Sequence, residues 1–402
     1  MALKVKPRFA ETLKQSVMAY AFNIFGIVAG TIIAYSSGLF AKSPWAVVIY
    51  PPILSARGVI GGLFCGRLST ALHLGTIQPR LFGNTKRFYL LFQAIVIMTF
   101  EASLMMSLIA AFFRGFGEFL GLINVFMATM ALALVVISPL TLAVSFISFK
   151  HGLDPDIILY PIESTVADLL ITSIYITVLW LFLANSLLWG YIFAFISLAL
   201  LLTSAFFLVK NAKEPEFIKT LKESLLTLVL VSFIVNVAGA TLGKVEELIR
   251  GNEGKLDQVY VVYPALIDTI GDVGAVVGST TTTKLALGTL KASFSSMKNH
   301  FVEISGAWAA SLIMYFAYSV LALLITGIFA PISLVTFTLF LFTVNVFAAS
   351  LIILVSYSVA ILTYQRGLDP DNFEIPIESS LADSITTISL LVALVLWAGV
   401  LA

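Results

Sequence analysis

Asp168 and Asp383 stand inside stretches that are otherwise apolar. An ionised side chain at the centre of a bilayer costs from about 2.5 to well over 10 kcal/mol, so each carboxylate needs a physical reason to be there. Each follows a proline, Pro161 or Pro376, by seven residues. If those prolines occupy first helical turns, as proline does readily, a rise of ~1.5 Å per residue puts each carboxylate about 10 Å inside the membrane. Magnesium keeps most of its waters and binds through one or two carboxylates, so two such aspartates suit a partly hydrated divalent ion. The plainer alternative is an aspartate paired with an arginine or bonded to a hydroxyl on a neighbouring helix.

Glu163 and Glu378 precede the aspartates by five residues. Five residues turn a helix by about 140°, so the Glu and Asp of one helix do not share a face. Both glutamates are candidate ion ligands, although an acid in a first turn is also explained by the helix dipole. The Asp-Pro-Asp triplets at 154–156 and 369–371 read as turn and capping chemistry. Glycines recur at helical spacing (Gly58, Gly62, Gly66; Gly271, Gly274, Gly278), which suits either close helix packing or backbone carbonyls near an ion. Arg67 and Lys284 read as carboxylate partners or as snorkelling side chains.

The elements that carry these residues repeat. Residues 151–172 align without gaps on 366–387 with 12 of 22 positions identical, including GLDPD, PIES and the aspartate. Upstream, YPPILSARGVIGG from Tyr50 matches YPALIDTIGDVGA from Tyr263, and TLKQS from Thr12 matches TLKES from Thr220. The chain is therefore expected to comprise a first repeat over 1–186, a linking transmembrane helix over 187–212 and a second repeat over 213–402.

A chain of 402 residues that is 59% hydrophobic and 11% charged lies outside the soluble range, where charged residues make up about 25%. Apolar runs long enough to span a bilayer fall at approximately 17–38, 44–74, 88–112, 121–149, 161–184, 187–209, 223–243, 258–290, 301–329, 331–363 and 376–401. The expected fold is all-α and polytopic, with five-helix repeats and about 11 segments. The first run exceeds the ~7–15 apolar residues of a cleaved signal and reads as a retained span. The second and eighth runs hold Pro51, Pro52 and Pro264 and are Gly-rich, features of a broken or re-entrant helix. The net charge of +1 points to no nucleic-acid partner, and the single cysteine, Cys65, permits no intrachain disulfide.

With a cytoplasmic N-terminus, 15 Lys/Arg fall on the inner side and 5 on the outer, which the positive-inside rule favours. A multi-pass cell-membrane protein with an extracytoplasmic C-terminus follows. The extra span would leave the two five-helix repeats parallel, related by a two-fold axis along the membrane normal.

The PIESTVAD and PIESSLAD motifs, each preceded by GLDPD, together with RLSTALHLG from Arg67, resemble the MgtE-like magnesium transporters, particularly the duplicated solute-carrier 41 group. The resemblance implies that an acidic residue after the fifth-span proline helps coordinate magnesium at the pore centre, a role that falls by motif on Asp168 and Asp383. Two departures stand out. The Gly-Asn frequent in the family's second span is Gly58-Val59 here in one repeat and Gly271-Asp272 in the other, which adds Asp272 as a candidate ligand. The large cytosolic sensing region of bacterial channel-type members also has no expected counterpart before the first span. Asp268 and Asp272 stand where the first repeat has Ser55 and Val59; this surplus of negative charge suggests sodium or a proton as a coupling ion. Two other readings compete with divalent cation transport: an intramembrane aspartyl hydrolase and a membrane scaffold that binds cations without moving them.

Overall fold

Several helices begin on a proline, whose missing N–H costs nothing in a first turn. In the computed structural model, which describes residues 9–150, 155–184, 187–251, 257–366 and 371–401, the chain forms thirteen α-helices and no strand among the described residues. They are α1 (Phe9–Tyr20), α2 (Ile24–Tyr35), α3 (Ser37–Lys42), α4 (Pro44–His73), α5 (Lys86–Arg114), α6 (Phe119–Lys150) and α7 (Pro155–Leu183). After these come α8 (Leu187–Asn211), α9 (Pro215–Gly251), α10 (Gln258–Ala286), α11 (Phe301–Ile325), α12 (Pro331–Gln365) and α13 (Asp371–Leu401). A 3-10 turn, Ala21–Asn23, separates α1 from α2.

Among the described residues, ten helical stretches are long and apolar enough to cross a membrane, with α1 and α2 together making the first. The chain is a multi-pass membrane protein. The segment expected at 223–243 lies within α9.

Two expectations are corrected. The segments containing Pro51, Pro52 and Pro264 are continuous helices, α4 and α10, rather than broken or re-entrant ones. A proline inside a helix leaves the carbonyl four residues earlier without its N–H partner, and neighbouring helices close over that defect. Likewise, Pro161 and Pro376 are not in first turns. Helices α7 and α13 open earlier, at the Asp-Pro-Asp triplets. Asp168 and Asp383 therefore lie thirteen and twelve residues along their helices, about 20 and 18 Å from the helix starts rather than 10 Å. The first-turn dipole account of Glu163 and Glu378 falls with this change.

The helices pack into two compact units, Tyr35–Ala240 and Met1–Ala34 with Thr241–Ala402. These do not coincide with repeat boundaries at 1–186, 187–212 and 213–402, because each unit includes the opening helix of the other repeat. Glycine makes this exchange physically possible. A Cβ on Gly30 would sit 2.0 Å from the Val261 carbonyl oxygen and 2.6 Å from that of Tyr260, the carbonyl freed by Pro264. In the other unit, a Cβ on Gly239 would sit 2.1 Å from the Val48 oxygen, the carbonyl freed by Pro52. Such a close approach gives the freed carbonyls a Cα–H contact in place of the lost N–H.

Within the first of these units α4 is the centre, with 82% of its most apolar stretch buried, and within the second α10 is, at 72%. Helix α8, the linking segment, is only 22% buried and presents Leu188, Tyr191, Phe195 and Phe206 outward, as a lipid-facing helix should. It holds to α5 through Ser204 to the Val96 carbonyl (3.5 Å) and Asn211 to Gln93 (2.6 Å).

Candidate ion-binding site

In unit Tyr35–Ala240 the site begins with two rungs between α4 and α7. Tyr50 on α4 shares a hydrogen bond with Thr172 on α7 (3.0 Å). Four residues back along α7, on the same face, Asp168 accepts a hydrogen bond from Arg57 of α4. Seven residues separate Tyr50 from Arg57, two helical turns, so one face of α4 supplies both rungs to an antiparallel α7. Asp168 is 6% exposed and Arg57 8%, so this is a buried ion pair rather than an open carboxylate. The Arg-paired alternative raised for Asp168 is the one realised here.

The other unit rebuilds the first rung. Tyr263 on α10 bonds to Thr387 on α13 at 2.8 Å, and Asp383, one turn before Thr387, is 7% exposed. The second rung differs, because the residue aligned with Arg57 is Ile270. A Cβ on Gly271 would stand 3.7 Å from the Ala382 side chain, ordinary contact, so this glycine serves close packing of α10 on α13 beside the aspartate. Both tyrosines and both threonines occur at identical positions of the aligned blocks. That is the signal sequence reading passed over while attending to the acids.

Asp272 has a different setting. Asn23, in the 3-10 turn between α1 and α2, donates through Nδ2 to Asp272 Oδ2 at 2.7 Å and to Thr269 Oγ1 at 3.3 Å. Thr269 in turn bonds to Tyr318 at 2.8 Å. The aligned residues of the other repeat are Val59 for Asp272, Ala56 for Thr269 and Val231 for Asn23, so this polar cluster belongs to one unit only. Glu163 lies on α7 and Glu378 on α13, and their side chains fall outside the described residues.

The two basic residues resolve as partners. Lys284 donates to Glu303 Oε1 at 2.5 Å and to His300 Nδ1 at 2.9 Å, while Arg67 donates to the Thr220 hydroxyl at 2.5 Å. His300, just before α11, also meets the Thr280 hydroxyl at 2.9 Å. Its burial first, and then the Lys284 ammonium, push its pKa down to about 4.

Two stretches of the chain, residues 50–178 and 263–393, match the family model of MgtE, described as a divalent cation transporter. The chain belongs to the MgtE family. The matched stretches contain both Tyr–Thr rungs and both aspartates. Neither the curated proteins nor the solved structures compared with the chain match it. Membership in MgtE carries divalent cation transport across a membrane as the family's activity.

Proposed function

We propose that this MgtE protein moves magnesium, or a divalent cation of similar hardness, along a path lined by Asp168 and Asp383, with Glu163, Glu378 and Asp272 as further acidic ligands. The observation that carries the reading is the repeated rung: Tyr50–Thr172 and Tyr263–Thr387 each fix one helix face, and in both units a buried aspartate lies one turn away on that face. A carboxylate held at such depth is costly and is offset when a cation reaches it. Magnesium, which keeps several waters and takes one or two carboxylates, suits sparse ligation of this kind.

The two aspartates do unequal work. An ion approaching Asp168 competes with the Arg57 guanidinium, whereas the residue aligned with Arg57 in the other repeat is Ile270. Asp168 is thus the ligand that must first part from its arginine. Asp272, held by Asn23, serves a coupling ion, sodium or a proton. The membrane orientation is N-terminus cytoplasmic and C-terminus extracytoplasmic.

The test is magnesium flux into liposomes containing the purified full-length chain, with Asp383→Asn and Asp168→Asn beside the wild type. Loss of flux in Asp383→Asn with normal expression supports the path. Near-normal flux in both variants refutes it. Flux absent in the wild type with membrane peptides cleaved instead would favour the aspartyl-hydrolase reading, and magnesium binding with neither activity the scaffold.

A further inference from the structure

Glu101 lies at residue sixteen of the 29-residue α5, about 22 Å from its start and about 20 Å from its end at ~1.5 Å per residue. That is the mid-depth of a spanning helix, where an ionised carboxylate is most expensive. Its neighbours on the helix surface, Ile97, Met98, Leu104 and Met105, are apolar. The Oε2 atom is buried and has no hydrogen-bond partner, and among the described residues Glu101 makes no ion pair.

The helices packed against α5 include α4, α6 and α8, and α9, whose Asn236 donates to the Met106 carbonyl at 3.4 Å; α9 has no charged residue between Glu223 and Lys244, and the charges of the other three are occupied or remote. On α4, Arg57 is taken by Asp168 and Arg67 bonds to Thr220; Tyr50 bonds to Thr172, and the His73 side chain lies outside the described residues. Helix α6 carries Lys150 at its last residue, and α8 carries Tyr191 in its second turn and Lys210 in its last, over the Phe206 ring. On α5 itself Lys86, Arg87 and Tyr89 are in the first turn and Arg114 is the final residue. Glu118 follows in the 3-10 turn beyond it. The aligned residue of the other repeat is Met314, so α11 has methionine where α5 has an acid.

A carboxyl in apolar surroundings without a counter-ion is neutralised by binding a proton. We propose that Glu101 is a proton-binding site at the middle of the membrane, on a helix other than those that carry the aspartates and present in one repeat only. It deepens the reading of the chain as an ion transporter: the residue takes up and releases a proton as transport proceeds, through the part of its side chain that is not buried.

The experiment has two readouts on the purified full-length protein in liposomes. The first is modification of Glu101 by a hydrophobic carbodiimide, to which the protonated acid adds, its proton going to nitrogen and its oxygen to the central carbon, quantified by peptide mass spectrometry across pH. An ordinary glutamate, with a pKa of about 4.3, is only about 0.2% protonated at neutral pH, so labelling would fall several-hundredfold between about pH 4 and 7. The expected fall at Glu101 is less than about tenfold. The second is the pH dependence of magnesium flux, which should flatten in Glu101→Gln while flux persists. An ordinary labelling profile, or no labelling, overturns the proposal, as does a Glu101→Gln protein whose flux responds to pH as the wild type does. Labelling that stays high in liposomes showing no magnesium flux would uphold the proton site and refute the transport reading instead.

Discussion

Asp168→Asn and Asp383→Asn make the same chemical change at aligned positions, and the structure gives them different consequences. Removing the Asp168 charge breaks its ion pair with the Arg57 guanidinium, which is 8% exposed. Removing one partner of a buried pair costs about 3–5 kcal/mol, a factor of roughly 10² to 10³·⁵ in the folded-to-unfolded ratio at 1.4 kcal/mol per decade. At Asp383 the place aligned with Arg57 is Ile270, and Asp383→Asn is expected to cost about 1–3 kcal/mol through altered hydrogen bonding. A gap of about 2 kcal/mol is expected between them. Arg57→Met combined with Asp168→Leu removes both charges at similar volume and should return most of the loss, since apolar replacement of a buried pair is often neutral or better. Equilibrium unfolding in mixed micelles measures all three proteins, and liposome flux separates stability from transport. If Asp168→Asn is as stable as Asp383→Asn, or if the double replacement is no better than Asp168→Asn, the ion pair does not matter as argued.

Gly30→Ala and Gly239→Ala should each destabilise the protein by about 1–3 kcal/mol through overpacking against carbonyl oxygens, while Gly190→Ala, with nothing within 4 Å of its Cβ, leaves unfolding unchanged. His300, buried and with its pKa pushed down to about 4, resists protonation when folded. Its contribution is therefore complete above the unfolded value of about 6.5 and is lost as pH falls towards 4, up to about 3 kcal/mol; thermal unfolding of wild type and His300→Gln across that window should show the wild-type slope flattened in the variant. Cysteines placed at Phe82 and Lys298 in a Cys65→Ser background should react with an impermeant thiol reagent from the same side of the membrane, and labelling from opposite sides would invert one repeat.

Span positions and the duplication were legible because both rest on local signals, apolar length and an ungapped run of identities. Helix starts were less so. Pro161 and Pro376 looked like first-turn prolines because interior proline is costly, yet the Asp-Pro-Asp triplets a turn and a half earlier held the stronger start signal. The regularity of α4 and α10 was hidden for a related reason. A proline-broken hydrogen bond is tolerated only if another helix reaches the freed carbonyl, and nothing local in YPPILSARG or YPALIDTIG says that Gly239 or Gly30 will do so. The aspartates were found by charge alone, while their partner Arg57, two turns beyond Tyr50, needed the antiparallel register of α4 and α7 that only the packed structure supplies.

The differences between the repeats are as informative as the identities. A chain duplicated only for a symmetric path would gain nothing by changing residues on helices that keep the Tyr–Thr rung. Yet Arg57 answers to Ile270, Asp272 to Val59, Glu101 to Met314 and Lys284 to Ala71. Each change puts one charge in one repeat and an uncharged residue in the other, at positions within spanning helices. A random drift of this kind would expose lone charges to hydrocarbon and be selected against on stability. Here Arg57 finds Asp168, Asp272 finds Asn23, and Lys284 finds Glu303 and His300. The exception is Glu101, which finds no partner among the described residues, and a carboxyl at that depth avoids the cost of charge by holding a proton. If the shared Tyr–Thr face serves the divalent ion as proposed, the divergence of the repeats supplies what two identical repeats lack, a means of treating the two halves differently during a transport cycle.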